Sequence, residues 1–233
     1  MCSIILRITE TAVYIAANRD EMIMRPWATP AEFWPGIIGG RDEVGGGTWL
    51  AMNQFGVVAA VLNRHGSLGP APDKRSRGEL PLLALESRSA ALAAEALAGL
   101  NCAAYRSFNL VVADGVEAFC LSWPGDGVPF LSWLPAGVTM LTAGEPNDVS
   151  LPRIARHLPR FEAAAFEDWG GLLADGSGAW DEALNIPPHR GFGTVCSSLM
   201  VLPRGGQAAW AFCGGRPSEA LFLPVPGFLP NAR

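Results

Sequence analysis

A cysteine at position 2 becomes a candidate nucleophile once the initiator methionine is removed, and a small second side chain permits that removal. Cys2 would then carry a thiol and a free α-amine on one residue. An unperturbed α-amine titrates near ~8 and a thiol near ~8.5, so the amine can serve as base for its own nucleophile. A second cluster of polar residues, Asn18, Arg19, Asp20 and Glu21, follows an apolar run at 12–17. If 2–8 and 12–17 pair as an antiparallel hairpin around Thr9, Glu10 and Thr11, residues 18–20 return to the side of Cys2. Arg19 then favours the thiolate and orients an acyl carboxylate or carbonyl oxygen, and Asp20 holds the protonated amine. Asn63 closes another apolar run, 56–62, and its amide is a donor suited to the oxyanion formed when a thiol attacks a carbonyl. Asn18, Asn53 and Asn109 are weaker donors for the same site.

Elements able to carry these groups recur along the chain. Apolar runs at 48–53, 56–62, 109–113, 116–122, 137–143, 195–203, 208–213 and 219–225 read as further strands, and Asp114–Gly115 is a strong hairpin signal. Residues 22–47, rich in Pro and Gly, read as irregular. A long helix is expected from about Leu80 to Leu100, with Pro81 in its first turn. Ser150 is placed to cap a second helix that Pro159 should break or kink. On that helix Arg153, Arg156, His157 and Arg160 form a basic stripe expected to face solvent. About nine strands with helices between them suit two stacked sheets flanked by helices, an α+β, four-layer αββα sandwich of mainly antiparallel strands.

Bulk composition narrows the function classes. With 233 residues, the chain can fill one core, and a single domain over 1–233 is expected. An apolar fraction of 49% against 17% charged excludes disorder as the default. The net charge of −5 argues against nucleic acid as a partner. The five cysteines are an odd number without a CxxC pair, which favours reduced thiols over a disulfide scaffold or zinc site, and no metal is expected. Arg7 and Glu10 interrupt the apolar N-terminus, and no run approaches the length of a membrane span. A cytoplasmic protein acting on a small molecule is the expectation.

Several of these residues also form a family pattern. Met1–Cys2, Asn18–Arg19–Asp20–Glu21, Thr48–Trp49–Leu50–Ala51, Asn53 with Gly56, Leu62–Asn63–Arg64, Ser76–Arg77–Gly78, Phe108–Asn109–Leu110 and Gly193–Thr194 resemble the NRDE family, also called the transport and Golgi organization 2 family. The resemblance implies an N-terminal-nucleophile hydrolase fold, similar to that of bile salt hydrolases and penicillin V acylases, which cleave linear amides with an N-terminal cysteine. It makes Cys2 the nucleophile, sets Arg19 and Asp20 beside it, and gives Asn63 the oxyanion role. Val195 stands where relatives usually have an arginine. Associations of the family with haem trafficking and acyl-CoA metabolism imply an alternative, a noncatalytic carrier of haem or an acyl metabolite. Cys2 and His65 would then be the nearest axial ligands.

Overall fold

The computed structural model describes residues 2–227. Ser3–Ile8 (β1) and Ala12–Met22 (β2) form the expected hairpin, closed by the Thr9 N–H on the Ala12 carbonyl. β2 runs further than its apolar stretch suggests, and residues 18–21 lie within the strand. Trp27–Trp34 (β3) and Ile37–Asp42 (β4) replace the irregular region expected at 22–47. The prolines mislead there because β3 is a sheet edge, where a missing N–H costs no ladder bond, and Pro30 sits at a register shift. Leu50–Asn53 (β5) and Val58–Asn63 (β6) follow.

The single long helix expected at 80–100 is two short ones, Leu80–Ala84 (α1) and Ala90–Ala98 (α2). Asn53 explains the interruption: its Nδ2 donates to the carbonyls of Leu85 at 2.9 Å and Ser87 at 2.7 Å, drawing them out of a helical ladder. Ser89 then caps α2, its Oγ accepting from Leu92 N–H.

Phe108–Ala113 (β7), Ala118–Trp123 (β8) and Phe130–Trp133 (β9) complete one sheet of order β3-β4-β5-β6-β7-β8-β9. β9 has no counterpart among the expected strands, because it is a short and largely exposed edge. Gly137–Leu141 (β10) is followed by Pro152–Ala163 (α3) and Trp169–Leu173 (α4). Phe192–Pro203 (β11), Ala209–Cys213 (β12) and Leu223–Pro224 (β13) join β10, β1 and β2 in the second sheet, ordered β10-β1-β2-β11-β12-β13. Every strand pair among the described residues is antiparallel.

Three apolar layers hold these elements together. Ile4, Leu6, Ile15, Leu50, Leu62 and Met200 belong to the core between the sheets. Leu80, Ala84, Leu97 and Phe108 pack α1 and α2 on one outer face, and Ile5, Met140, Ile154, Phe161 and Trp169 pack α3 and α4 on the other. The order helix, sheet, sheet, helix is the expected αββα sandwich.

α3 departs from expectation in two ways. It continues through Pro159, held by the burial of Leu158 and Phe161 on either side of the sequence break in hydrogen bonding. Its basic stripe is also not wholly solvated, since Arg153 and His157 are buried with the apolar face. Arg153, His157 and Phe161 follow one another every four residues beside Ile154 and Leu158, which makes them part of one broad inward stripe.

His157 carries a pH signature. Its Nε2 donates to the Glu182 carbonyl at 2.9 Å and its Nδ1 accepts from Arg160 Nη1 at 3.0 Å, a pattern that requires neutral imidazole. Burial pushes its pKa down to about 4, and Arg160 acts in the same direction. The unfolded chain therefore binds a proton between the ordinary value of 6.5 and about 4 that the folded chain refuses. The stability this group contributes is complete above pH 6.5 and lost as pH falls toward 4, on the order of 2 kcal/mol after allowance for screening. Urea titrations at pH 7 and pH 4.5 should show a smaller loss for His157→Gln than for the parent chain; equal losses would contradict this role.

Candidate active site

Strand alternation sorts the candidate residues onto two faces. On β1 and β2, Ile4, Leu6, Val13 and Ile15 point into the core between the sheets, so Cys2 and Arg19 fall on that face. Ser3, Asn18 and Asp20 fall on the opposite face, against α3 and α4. Pairing of Ser3 with Asn18 brings Cys2 beside Arg19, and pairing of Cys196 with Arg19 sets a second thiol on the far side of the same arginine. Cys2 Sγ contacts the Asp20 carbonyl at 3.7 Å.

Cys2 and Arg19 share a cavity of about 20 Å³ walled by Trp49, Leu50, Leu62 and Cys196. That space admits about one water-sized group. Arg19 is held from two directions. Its Nη2 donates to Asp42 Oδ2 at 2.9 Å, and its guanidinium lies 4.2 Å from the centre of the Trp49 ring. Asp42 also accepts from Arg25 and from the N–H groups of Val44 and Gly45. Burial alone would raise the Asp42 carboxyl, but the Arg25 guanidinium and the Gly45 N–H outweigh it and hold the carboxyl below its usual range. Trp49 approaches β4 closely enough that a Cβ on Gly40 would lie 2.3 Å from its ring. Gly40 thus lets an aromatic wall settle against Arg19.

One donor of Arg19 remains uncommitted. Nη1 is buried without a hydrogen-bond partner among the described residues, on a side chain of a residue only 5% exposed. A buried, unpaired guanidinium N–H is costly unless a carbonyl, carboxylate or oxyanion occupies the space before it. Burial pushes the Cys2 thiol above its ordinary range and the Asp20 charge adds to the rise, while Arg19 opposes it. The thiol therefore keeps its proton near neutrality, and attack on a carbonyl needs an adjacent base.

The remaining candidates lie elsewhere or are already engaged. Asp20 is buried on the helix side, where its Oδ2 is 3.2 Å from Arg153 Nη1 and its Oδ1 accepts from Thr194 Oγ1 at 2.6 Å. Asn18 touches the cavity wall, but its Nδ2 donates to the Leu173 and Leu184 carbonyls and its Oδ1 accepts from Ser197. Asn53 lies at the hairpin end of β5, with its Oδ1 accepting from Phe55 and Val57 N–H and its Nδ2 spent as described above. Asn109 ties the sheets together through Arg64 and the Gly144 carbonyl. These three amides hold the scaffold; their hydrogen-bonding groups are committed internally.

Asn63 ends β6 in register with Phe108. Val58, Ala60 and Leu62 join the core between the sheets, whereas Ala59 and Val61 pack toward α1 and α2. Asn63 shares the second register, one residue beyond the cavity wall at Leu62. His65 is exposed and acts electrostatically on Asp148. His157 is consumed by Glu182 and Arg160, and His189 is exposed. Trp49, Asp42, Arg153 and Cys196 are site residues that sequence reasoning did not select. Proximity in the Thr48–Trp49 motif was a signal for the first; the others come from distant segments.

Two face-to-face antiparallel sheets, an outer helical layer on each, and a cysteine at the head of β1 define the fold of the N-terminal-nucleophile hydrolases. The structure is similar to an N-acylethanolamine-hydrolyzing acid amidase ortholog from Caenorhabditis elegans, with a TM-score of 0.60, 13% identity and coverage of 86% of this chain and 92% of that one. A penicillin V acylase from Agrobacterium tumefaciens gives 0.53 at 13% identity, over 91% and 83% of the two chains. A conjugated bile acid hydrolase from Clostridium perfringens gives 0.56 at 13% identity over the full length of both. The chain belongs to the Transport and Golgi organisation 2 family, whose pattern it matches over residues 1–169. It is 38% identical over 108 residues to the Transport and Golgi organization 2 homologs of Mus musculus and Homo sapiens, a match covering 43% of this chain and 38% of each relative. The aligned part thus spans about two-fifths of those relatives.

Proposed function

We propose that this protein is a cysteine-dependent hydrolase of small linear amides, with Cys2 as nucleophile after removal of Met1. The observation that carries the proposal is that Cys2 and Arg19, whose buried Nη1 has no hydrogen-bond partner among the described residues, line one small cavity. The α-amine takes the thiol proton as Sγ adds to the carbonyl carbon, and Arg19 Nη1 donates to the resulting oxyanion. Collapse breaks the C–N bond while the ammonium returns its proton to the leaving nitrogen. Water, deprotonated by the same amine, then cleaves the thioester to release the acid and restore the thiol. Five unpaired cysteines among the described residues suit a reducing, cytoplasmic setting. No helix among the described residues is long and apolar enough to cross a membrane.

Incubation with a panel of acyl donors, read by intact mass, should reveal the mass of an acyl group on a chain lacking Met1, and Cys2→Ala should abolish both adduct and turnover. Retained Met1 in protein from its own cells, or full turnover in Cys2→Ala, sinks the proposal.

A second reading, carriage of an acyl metabolite without catalysis, is favoured by a larger groove of about 920 Å³ at the other end of the sandwich, bordered by Pro30, Ile38, Met52, Phe55 and Gln207. A groove of this size suits a ligand of metabolite dimensions. Saturable binding of long-chain acyl-CoA that survives Cys2→Ala would support carriage, and failure to bind would count against it.

A further inference from the structure

Arg153 enters the site from the helix layer. It is buried on α3, and its Nη1 lies 3.2 Å from Asp20 Oδ2 and 3.2 Å from Ser3 Oγ. It thus touches the chain neighbour of Cys2 and the carboxylate behind the cavity at once. Asp20 is closed on its other oxygen by Thr194, beside the register shift in β11 that makes Val195 the extra residue.

We propose, on the footing that Cys2 is the nucleophile, that Arg153 is a positioning residue: it fixes the Asp20 carboxylate and offsets its charge so that the Cys2 thiolate forms more readily. Asp20 opposes ionisation of Cys2, and a carboxylate paired at 3.2 Å with a guanidinium opposes it less than an uncompensated one. The other groups acting on Cys2 are the α-amine of the chain, Arg19 from β2, Cys196 from β11 and Arg77 from the segment before α1. Arg153 bonds the Asp20 carboxylate through its guanidinium, and removing that carboxylate separates its effect from theirs.

The test is the pH dependence of Cys2 alkylation by iodoacetamide, localised by peptide mapping on protein whose N-terminus has been established by mass. Arg153→Gln is expected to raise the alkylation midpoint by about half to one pH unit, and Arg153→Lys to stay near the parent value. In an Asp20→Asn background, Arg153→Gln should add no further rise, and this double variant leaves no buried carboxylate uncompensated if the single variant does not fold. An unchanged midpoint in Arg153→Gln, or a rise that persists with Asn at position 20, overturns the proposal. Alkylation requires no turnover, so failure to find a hydrolysed amide and failure of the Arg153 role are separate results.

Discussion

Arg19→Leu is expected to lower turnover of the acyl donor that labels Cys2 by roughly 10²–10³-fold, the effect of removing one preorganised oxyanion donor. Nη1 is buried without a hydrogen-bond partner among the described residues and Arg19 lines the same cavity as Cys2, so its hydrogen-bonding capacity is available to charge that develops during attack. Leucine fills much of the same volume without that donor. The fold should persist, because Asp42 keeps both bonds from Arg25 and its backbone donors. Losing the contact with Trp49 costs about 1 kcal/mol, or a few degrees of thermal midpoint. Arg19→Lys should recover little activity, since one ammonium cannot bond Asp42, stack on Trp49 and present a second donor together. Steady-state kinetics beside thermal denaturation separates the outcomes, and parent-like kcat/KM in Arg19→Leu would remove Arg19 from the chemistry.

Trp169→Ala is expected to have the largest effect on stability, about 3–5 kcal/mol. Trp169 is fully buried at the start of α4, and its ring meets Phe161 at 5.0 Å and Phe166 at 5.4 Å in edge contacts. The Arg7 guanidinium lies 5.0 Å from the same ring and bonds carbonyls at the end of α3. One side chain therefore joins α3, α4 and β1, and alanine leaves a cavity between three elements that cannot all collapse inward. Urea denaturation should show a large fall in midpoint, and a loss below about 1 kcal/mol would mean that the helix layer repacks freely. Because Asp20 and Arg153 meet in this layer, the substitution should also blunt the reactivity of Cys2.

The hairpin of β1 and β2 was legible because a short polar connection between two apolar runs leaves little choice of register, and that register alone returns Arg19 to Cys2. The same alternation set Asp20 on the other face, which sequence proximity concealed. Residues 22–47 misled because proline is costly inside a sheet and tolerated at its edge, and position within a sheet is a tertiary property. The break at 85–89 was hidden for a related reason: the group that ends α1 is Asn53, more than thirty residues away.

By itself, then, the sequence determined the layered class of this protein, the family to which it belongs and the thiol that leads its first strand. These follow from local periodicity, turn chemistry and the residue types at the N-terminus. Only the tertiary structure decided which candidates share a space with that thiol. Side-chain amides can serve either a ligand or the scaffold, and Asn18, Asn53 and Asn109 are committed to the scaffold by carbonyls from distant segments. The donor left open, Arg19 Nη1, and the cation behind Asp20, Arg153, owe their positions to packing between layers, where contacts depend on how sheets and helices stack rather than on spacing along the chain.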